Sequence, residues 1–251
     1  MSQVLGFDIG GSSVKSALVD IEQGTLQSEQ VNLTLDSNTS PDDLIRTLAD
    51  HAADLDWSGP VGVGYPGVIV DGKIRTAAHL DRRFVGSDFL GELSKAFKDV
   101  ALLNDADAAG LAEMSFGAGR ERNHSQGGTV LMLTLGTGIG SALFTAGRLF
   151  PNTEFGHMYL GNQEAEEIAA ASIKTRLNLS YTEWSERLNR FLNEMYRLLT
   201  PDLIVLGGAV SEDFSSFQSY LKVPCEIKPA VLGNRAGLVG AALAAGLYAK
   251  K

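Results

Sequence analysis

Two glycine-rich turns, about half a chain length apart, constrain this sequence more than any other feature. The first reads Asp8-Ile9-Gly10-Gly11-Ser12-Ser13 and the second Leu135-Gly136-Thr137-Gly138-Ile139-Gly140-Ser141. Each follows an apolar run (4–7 and 130–133) and leads into another (14–19 and 142–144). Strand, tight turn and strand are thus written twice. Glycine removes the Cβ that would hold backbone N–H groups away from an anion, and it makes positive φ accessible. Either turn alone is equally an ordinary β-hairpin. As a pair with an acidic motif between them, they read as two cradles facing across a cleft and gripping a chain of phosphates.

At 251 residues the chain can hold two modest α/β domains. No apolar stretch approaches the roughly 20 residues that span a bilayer, so no membrane association is expected. The opening Met-Ser-Gln-Val-Leu-Gly-Phe-Asp lacks the basic start of a signal peptide, and a cytoplasmic location is the expectation. A single cysteine, Cys225, excludes an intramolecular disulfide and a cysteine-cluster metal site. The formal charge of −9 argues against nucleic acid as a partner. A polyanionic substrate remains compatible if positive charge is local, and Lys73, Arg75, Arg82, Arg83, Arg120 and Arg122 are candidates. Each of these alone is equally a solvated surface charge.

The pattern predicts strands over 4–7, 14–19 and 25–35. Ser40-Pro41-Asp42-Asp43 predicts a helix start, with serine as N-cap and proline at the first helical position. Residues 61–65 form a buried strand, and Asp71-Gly72 marks a hairpin within 68–74. Helix is expected over 89–97, strand over 100–103, and helix over 106–116. The polar stretch 117–128 sets the expected boundary between a domain over 1–116 and one over 117–251. In the second half, Leu188, Phe191, Leu192, Met195, Tyr196 and Leu199 form one helical stripe, read as core or subunit contact. A strand over 203–206 closes at Gly207-Gly208. A final helix over 236–248 is expected to pack back on the first domain. Alternating strands and helices give α/β architecture.

Phosphoryl transfer to an alcohol needs phosphates held in line, their charge neutralised and the hydroxyl deprotonated. Asp105 lies where such a base belongs, at the carboxyl end of a strand and the start of a helix, where ligands bind in open α/β sheets. Helix capping is the alternative role. Asp107 reads as structural or as part of the cleft wall. Asp8, ahead of the first glycine turn, is placed to hold Mg²⁺ through water or to cap that turn. Lys15 is either a phosphate contact or a solvent-facing strand residue. Glu154 and His157, flanking Phe155-Gly156, can accept from and donate to adjacent sugar hydroxyls. Glu-x-x-His is half of a carboxylate metal motif, but a metal there is not expected.

Together these residues resemble the ROK family of sugar kinases and, within it, the glucokinases that use polyphosphate. The resemblance is carried by Gly6-Phe7-Asp8-Ile9-Gly10-Gly11, Tyr65-Pro66-Gly67-Val68 and Arg75-Thr76-Ala77-Ala78. It continues through the stretch from Asn104 to Glu113, the second glycine turn, Pro151-Asn152-Thr153-Glu154-Phe155-Gly156-His157, and Pro201-Asp202-Leu203-Ile204-Val205-Leu206-Gly207-Gly208. It implies an actin-like, ribonuclease H-like two-domain fold with an interdomain cleft. It also implies a homodimeric glucokinase that moves a phosphoryl group from polyphosphate, or from ATP, to the 6-hydroxyl of glucose with Mg²⁺. By the same resemblance Asp105 is the general base. Gly67, Asn104, Glu154, His157 and either Glu166 or its neighbour Glu167 face the sugar. Gly10, Gly11, Ser12, Lys15, Gly136, Thr137, Gly138, Gly207 and Gly208 face the donor.

Three departures qualify this. Many members carry a zinc-binding cysteine cluster after Glu-x-Gly-His, whereas residues 158–167 hold no cysteine, so no zinc site is expected. Members that act as repressors carry a DNA-binding helix-turn-helix ahead of the kinase part, but this sequence opens at its first strand. His79 stands where a sugar-binding asparagine is expected, which bears on sugar identity. The alternatives are an ATP-dependent hexokinase of another sugar range and a non-catalytic sugar sensor. Binding alone would not need Asp105 as a base.

Overall fold

In chain order the elements are β1 (Gln3–Ile9), β2 (Ser13–Asp20), β3 (Thr25–Leu26), β4 (Val31–Thr34), α1 (Pro41–Asp54), β5 (Val61–Tyr65), β6 (Ile69–Val70) and β7 (Lys73–Ile74). There follow α2 (Phe89–Ala96), β8 (Val100–Asn104), α3 (Asp105–Phe116), β9 (Thr129–Leu135), β10 (Ile139–Thr145) and β11 (Arg148–Phe150). The remainder is α4 (Ala165–Ala169), α5 (Ala171–Arg176), α6 (Tyr181–Leu199), β12 (Leu203–Gly207), α7 (Phe214–Phe217), β13 (Glu226–Pro229) and α8 (Ala236–Tyr248). This computed structural model describes residues 2–77, 80–123 and 127–248; His79 lies outside them. The chain divides into one unit of residues 1–112 with 235–251, and a second of 113–234. The boundary therefore falls inside α3, four residues before the sequence-based position, because the helix starts in one unit and ends in the other. The segment from 235 onward belongs to the first unit, not the second.

The first unit's sheet runs β3-β2-β1-β5-β8, with β4 also on β2. β1 is antiparallel to β2 and parallel to β5, which is parallel to β8. The expected single strand over 25–35 is instead two short ones, each pairing with a different end of β2. The break occurs where Ser28 Oγ, rather than a backbone carbonyl, accepts from the Leu18 N–H at 3.0 Å. Helix α1 starts as its sequence dictates: Ser40 accepts from the Asp43 N–H and Pro41 occupies the first position. At Asp71-Gly72 both residues have positive φ, 52° and 75°, the signature of a tight two-residue hairpin turn.

Alternation along β1 sorts the two faces of this sheet. Leu5, Phe7 and Ile9 enter a core with Leu44, Leu48, Tyr65, Phe84 and Phe89. Gly6 and Gly62 face α8 instead, and a Cβ on them would lie 2.8 Å from Leu238 O and 1.8 Å from Ala241 O. α3 and α8 approach as closely: a Cβ on Gly240 would fall 1.6 Å from Ala108 O. Backbone cannot yield as a flexible side chain does, so Gly240→Ala should lose about 3 kcal/mol of stability, at the upper end of overpacking effects. A urea melt measures it; an unchanged midpoint would mean that α3 and α8 separate freely.

The second unit's sheet runs β11-β10-β9-β12-β13. Its pairing repeats the plan: β9 is antiparallel to β10 and parallel to β12, which is parallel to β13. One face packs on the apolar stripe of α6, where Trp184, Leu188, Phe191, Leu192 and Met195 are buried with Leu131, Leu133 and Leu135. This assigns the stripe to the core. Among the described residues no helix is long and apolar enough to cross a membrane.

Candidate active site

Each glycine turn joins the central strand of its sheet to the antiparallel neighbour. In the first, the Gly10 N–H donates to Ser13 O at 2.8 Å; in the second, the Gly136 N–H donates to Gly138 O at 3.0 Å. The reason for glycine differs from the sequence argument. Gly10, Gly11, Gly136 and Gly138 are absent from the residues with positive φ, so left-handed backbone is not what they provide. They provide room. A Cβ on Gly136 would enter open space, and one on Gly138 would lie 2.4 Å from Glu166 Oε2.

In the first unit the parallel register aligns Asp8 with Gly64 and Gly64 with Leu103. Asp8 and the end of β8 are therefore two strand spacings apart, about 10 Å, at one carboxyl edge. Asp8 accepts from Lys15 Nζ at 3.1 Å, so these two predicted ligands are paired with each other across the hairpin. On its other side the Asp8 carboxylate lies against Gly237 in the first turn of α8, where a Cβ would come within 2.9 Å. Asn104 is buried. Its Oδ1 accepts from the Ala106 and Asp107 N–H groups at 2.8 and 3.1 Å, capping α3, while its Nδ2 donates to Gly67 O at 3.2 Å. Capping thus falls mainly to Asn104, though Asp105 Oδ1 also accepts from the Ala106 N–H at 2.7 Å. Asp105 stays half-buried at the strand edge, and Asp107 is buried. Gly67 has no space for a side chain, since a Cβ would meet Thr76 O at 2.6 Å.

In the second unit the segment bearing Glu154 and His157 is pinned to β10. Ser141 Oγ donates to Thr153 O at 2.9 Å and accepts from the Phe155 N–H at 3.0 Å, and Thr153 Oγ1 donates to Ser141 O at 2.9 Å. Gly156 permits the approach, because a Cβ there would strike Ile139 O. Three carboxylates surround His157. Glu164 Oε2 is 2.7 Å from Nδ1, Glu166 Oε1 is 3.9 Å from Nδ1, and Glu154 Oε2 is 3.9 Å from Nε2. Glu166 also accepts from the Ile139 N–H at 3.2 Å, which places it against the second glycine turn. Glu167 is turned to the start of α4, where it accepts from the Glu164 N–H at 3.1 Å. Of this pair, Glu166 is the one beside His157. Gly207 and Gly208 end β12 next to the same turn, and a Cβ on Gly208, at φ 84°, would lie 2.3 Å from Leu135 O.

Sequence reading missed Ser141, Thr153 and Glu164 as members of this arrangement. His157 and Glu164 meet because the chain doubles back between them, which their spacing in the sequence does not signal. His157, Glu164 and Glu166 also bring ligand atoms within 4.8 Å of one another. Of the basic candidates, Arg83 is tied to Asp81 and to Asn38 O, and Arg122 approaches Asp202 and Glu226.

The His157 imidazole is held above its usual 6.5, first by the hydrogen bond it donates to Glu164; burial opposes this, and the charges of Glu166, Glu164 and Glu154 add to the rise. Burial foremost raises the Glu154 carboxyl, with Glu166 adding and His157 opposing. For a raised histidine, the stabilisation is complete below about 6.5 and fades as pH rises through the folded value. An NMR titration of His157 should find its midpoint above 6.5; a midpoint at or below it would mean that the carboxylates are not felt.

An antiparallel run of strands followed by two parallel ones, laid down once per unit with a glycine hairpin on each central strand, makes this the actin-like, ribonuclease H-like fold of the sugar kinases. The chain belongs to the ROK family, whose sequence profile matches residues 4–171. It is 40% identical over 241 residues to a polyphosphate glucokinase of Mycobacterium tuberculosis (strain CDC 1551 / Oshkosh), covering 95% of this chain and 89% of that one. Among solved structures it resembles the inorganic polyphosphate/ATP-glucomannokinase of Arthrobacter sp. strain KM, with a TM-score of 0.89, 36% identity, and coverage of 98% and 99%. It shares its fold with a ROK family glucokinase from Streptomyces griseus in complex with glucose and AMPPNP, at a TM-score of 0.76, 22% identity, and coverage of 96% and 98%.

Proposed function

We propose that this protein is a cytoplasmic glucokinase that transfers the terminal phosphoryl group of inorganic polyphosphate, or of ATP, to the 6-hydroxyl of glucose. The observation that carries this reading is the 40% identity to polyphosphate glucokinase over 95% of the chain. The geometry supports the individual roles. Asp105, at the carboxyl edge of its sheet with Asn104 as the main cap beside it, is the general base that takes the hydroxyl proton. Glu154, His157 and Glu166 are the sugar contacts of the second unit, and Asn104 and Gly67 those of the first. The turns at Gly10–Ser12 and Gly136–Gly138, with Gly207 and Gly208, receive the phosphate chain. Lys15 supplies positive charge there.

Mg²⁺ fits the donor set on the first turn. Asp8 is one carboxylate with limited exposure, and Mg²⁺ characteristically keeps several waters while using one or two carboxylates and substrate phosphates. Asp8 would hold it through water, and the ion would neutralise phosphate charge. The active form is a homodimer.

Purified protein given glucose and Mg²⁺, with polyphosphate or ATP in separate reactions, tests the assignment. Glucose 6-phosphate is expected from polyphosphate. Product from neither donor would overturn the kinase reading and favour a sugar sensor. Mannose belongs in the same assay, because the Arthrobacter structure at 36% identity is that of a glucomannokinase.

A further inference from the structure

We propose that Glu164 is a positioning residue that fixes the tautomer and aim of His157, so that Nε2 is presented to the substrate as a hydrogen-bond acceptor when the ring is neutral. This rests on the reading of His157 as a sugar contact. An ionised carboxylate has no proton to donate, so its 2.7 Å approach to Nδ1 requires the proton to sit on that nitrogen. The other tautomer would set a lone pair against a carboxylate oxygen. Nε2 is then the acceptor, on the side where Glu154 stands 3.9 Å away.

The chain between the two residues is shaped for this purpose. From Met158 to Ala165 it doubles back as a miniature hairpin, with Tyr159 bridged to Glu164. The Leu160 N–H donates to Gln163 O, and the Ala165 N–H to Met158 O, each at 2.8 Å. Gly161, at φ 78°, makes the turn possible. Glu167 reaches back to the Glu164 N–H and anchors the far end. Glu166, 3.9 Å from Nδ1, adds negative charge on the same side, but its hydrogen bond is to the Ile139 N–H. A histidine half open to solvent would otherwise sample both tautomers and several ring rotations. A fixed acceptor at Nε2 selects a hydroxyl donor of one orientation on the sugar.

The test compares Glu164→Gln, which retains a carbonyl acceptor, with Glu164→Ala, which has none. In the alanine variant KM for glucose should rise by about ten-fold or more, in the range that loss of an orienting partner produces, with a smaller change in kcat and none in KM for the phosphoryl donor. Glutamine should restore most of the loss. Independently of turnover, ¹⁵N NMR of His157 should show the Nδ1–H tautomer in wild type and a mixture in Glu164→Ala. Thermal melts of both variants confirm folding. An unchanged tautomer in Glu164→Ala, or glutamine and alanine raising KM equally, would overturn the proposal. If wild type fails to phosphorylate glucose while the tautomer shift is present, the glucokinase reading fails and the positioning of His157 stands.

Discussion

Asp105→Asn should lower kcat for glucose phosphorylation by at least about two orders of magnitude while glucose binding persists. Asparagine keeps the shape and the hydrogen bond to the Ala106 N–H, so the start of α3 is preserved. What it removes is the ability to take the proton as the hydroxyl attacks. The main caps on α3 are the two hydrogen bonds to Asn104, which the substitution leaves in place. A loss of that size in kcat with little change in sugar affinity, measured by calorimetry, separates a base from a binding group. Retained turnover would place the base elsewhere. A matching fall in thermal stability would show that Asp105 had been capping after all.

The largest expected effect on stability lies at a residue outside the proposed chemistry. Glu113 is 1% exposed, yet its carboxylate accepts three backbone N–H groups. Val231 and Leu232 donate to one oxygen at 2.8 and 2.7 Å, and Ala118 to the other at 2.9 Å. It ties the loop after β13 to the end of α3 within the second unit. Glu113→Ala leaves these three donors without their acceptor and opens a cavity, and hydrogen bonds to a charged group contribute about 1.5–3 kcal/mol each. A loss of about 4 kcal/mol is expected, or about 10 °C in Tm for a chain of this size. Glu113→Gln should fall between, because its amide NH₂ would confront one of the donors. A calorimetric scan showing wild-type Tm for Glu113→Ala would mean that the loop finds other acceptors at no cost.

Local signals in the sequence were reliable where local physics decides. Ser40-Pro41 starts α1, Asp71-Gly72 makes its hairpin, and both glycine turns join the strands expected of them. Signals failed where a distant partner decides. The split of 25–35 into β3 and β4 depends on which end of β2 each reaches, and no propensity encodes that. Gly62 and Gly240 look like ordinary glycines until the helix backbones are seen against them. In the candidate site, strand-end position and side-chain chemistry pointed to Asp105, Glu154 and His157, but Glu164 and Ser141 are visible only through the hydrogen bonds they complete. Glu166 and Glu167 were equivalent on paper. The turn of α4 separates them, one toward Ile139 and the other toward its own helix start.

The return of α8 to the first unit has a consequence for the order in which the protein is made. Residues 113–234 form an uninterrupted unit, whereas the first unit needs 235–251 to be whole. Chains are made N-terminus first, so the helix that covers Gly6 and Gly62 is synthesised only after every residue of the second unit. The half of the protein that begins first is the half completed last. Until then the sheet face at Gly6 and Gly62 lacks the helix whose backbone closes over both glycines.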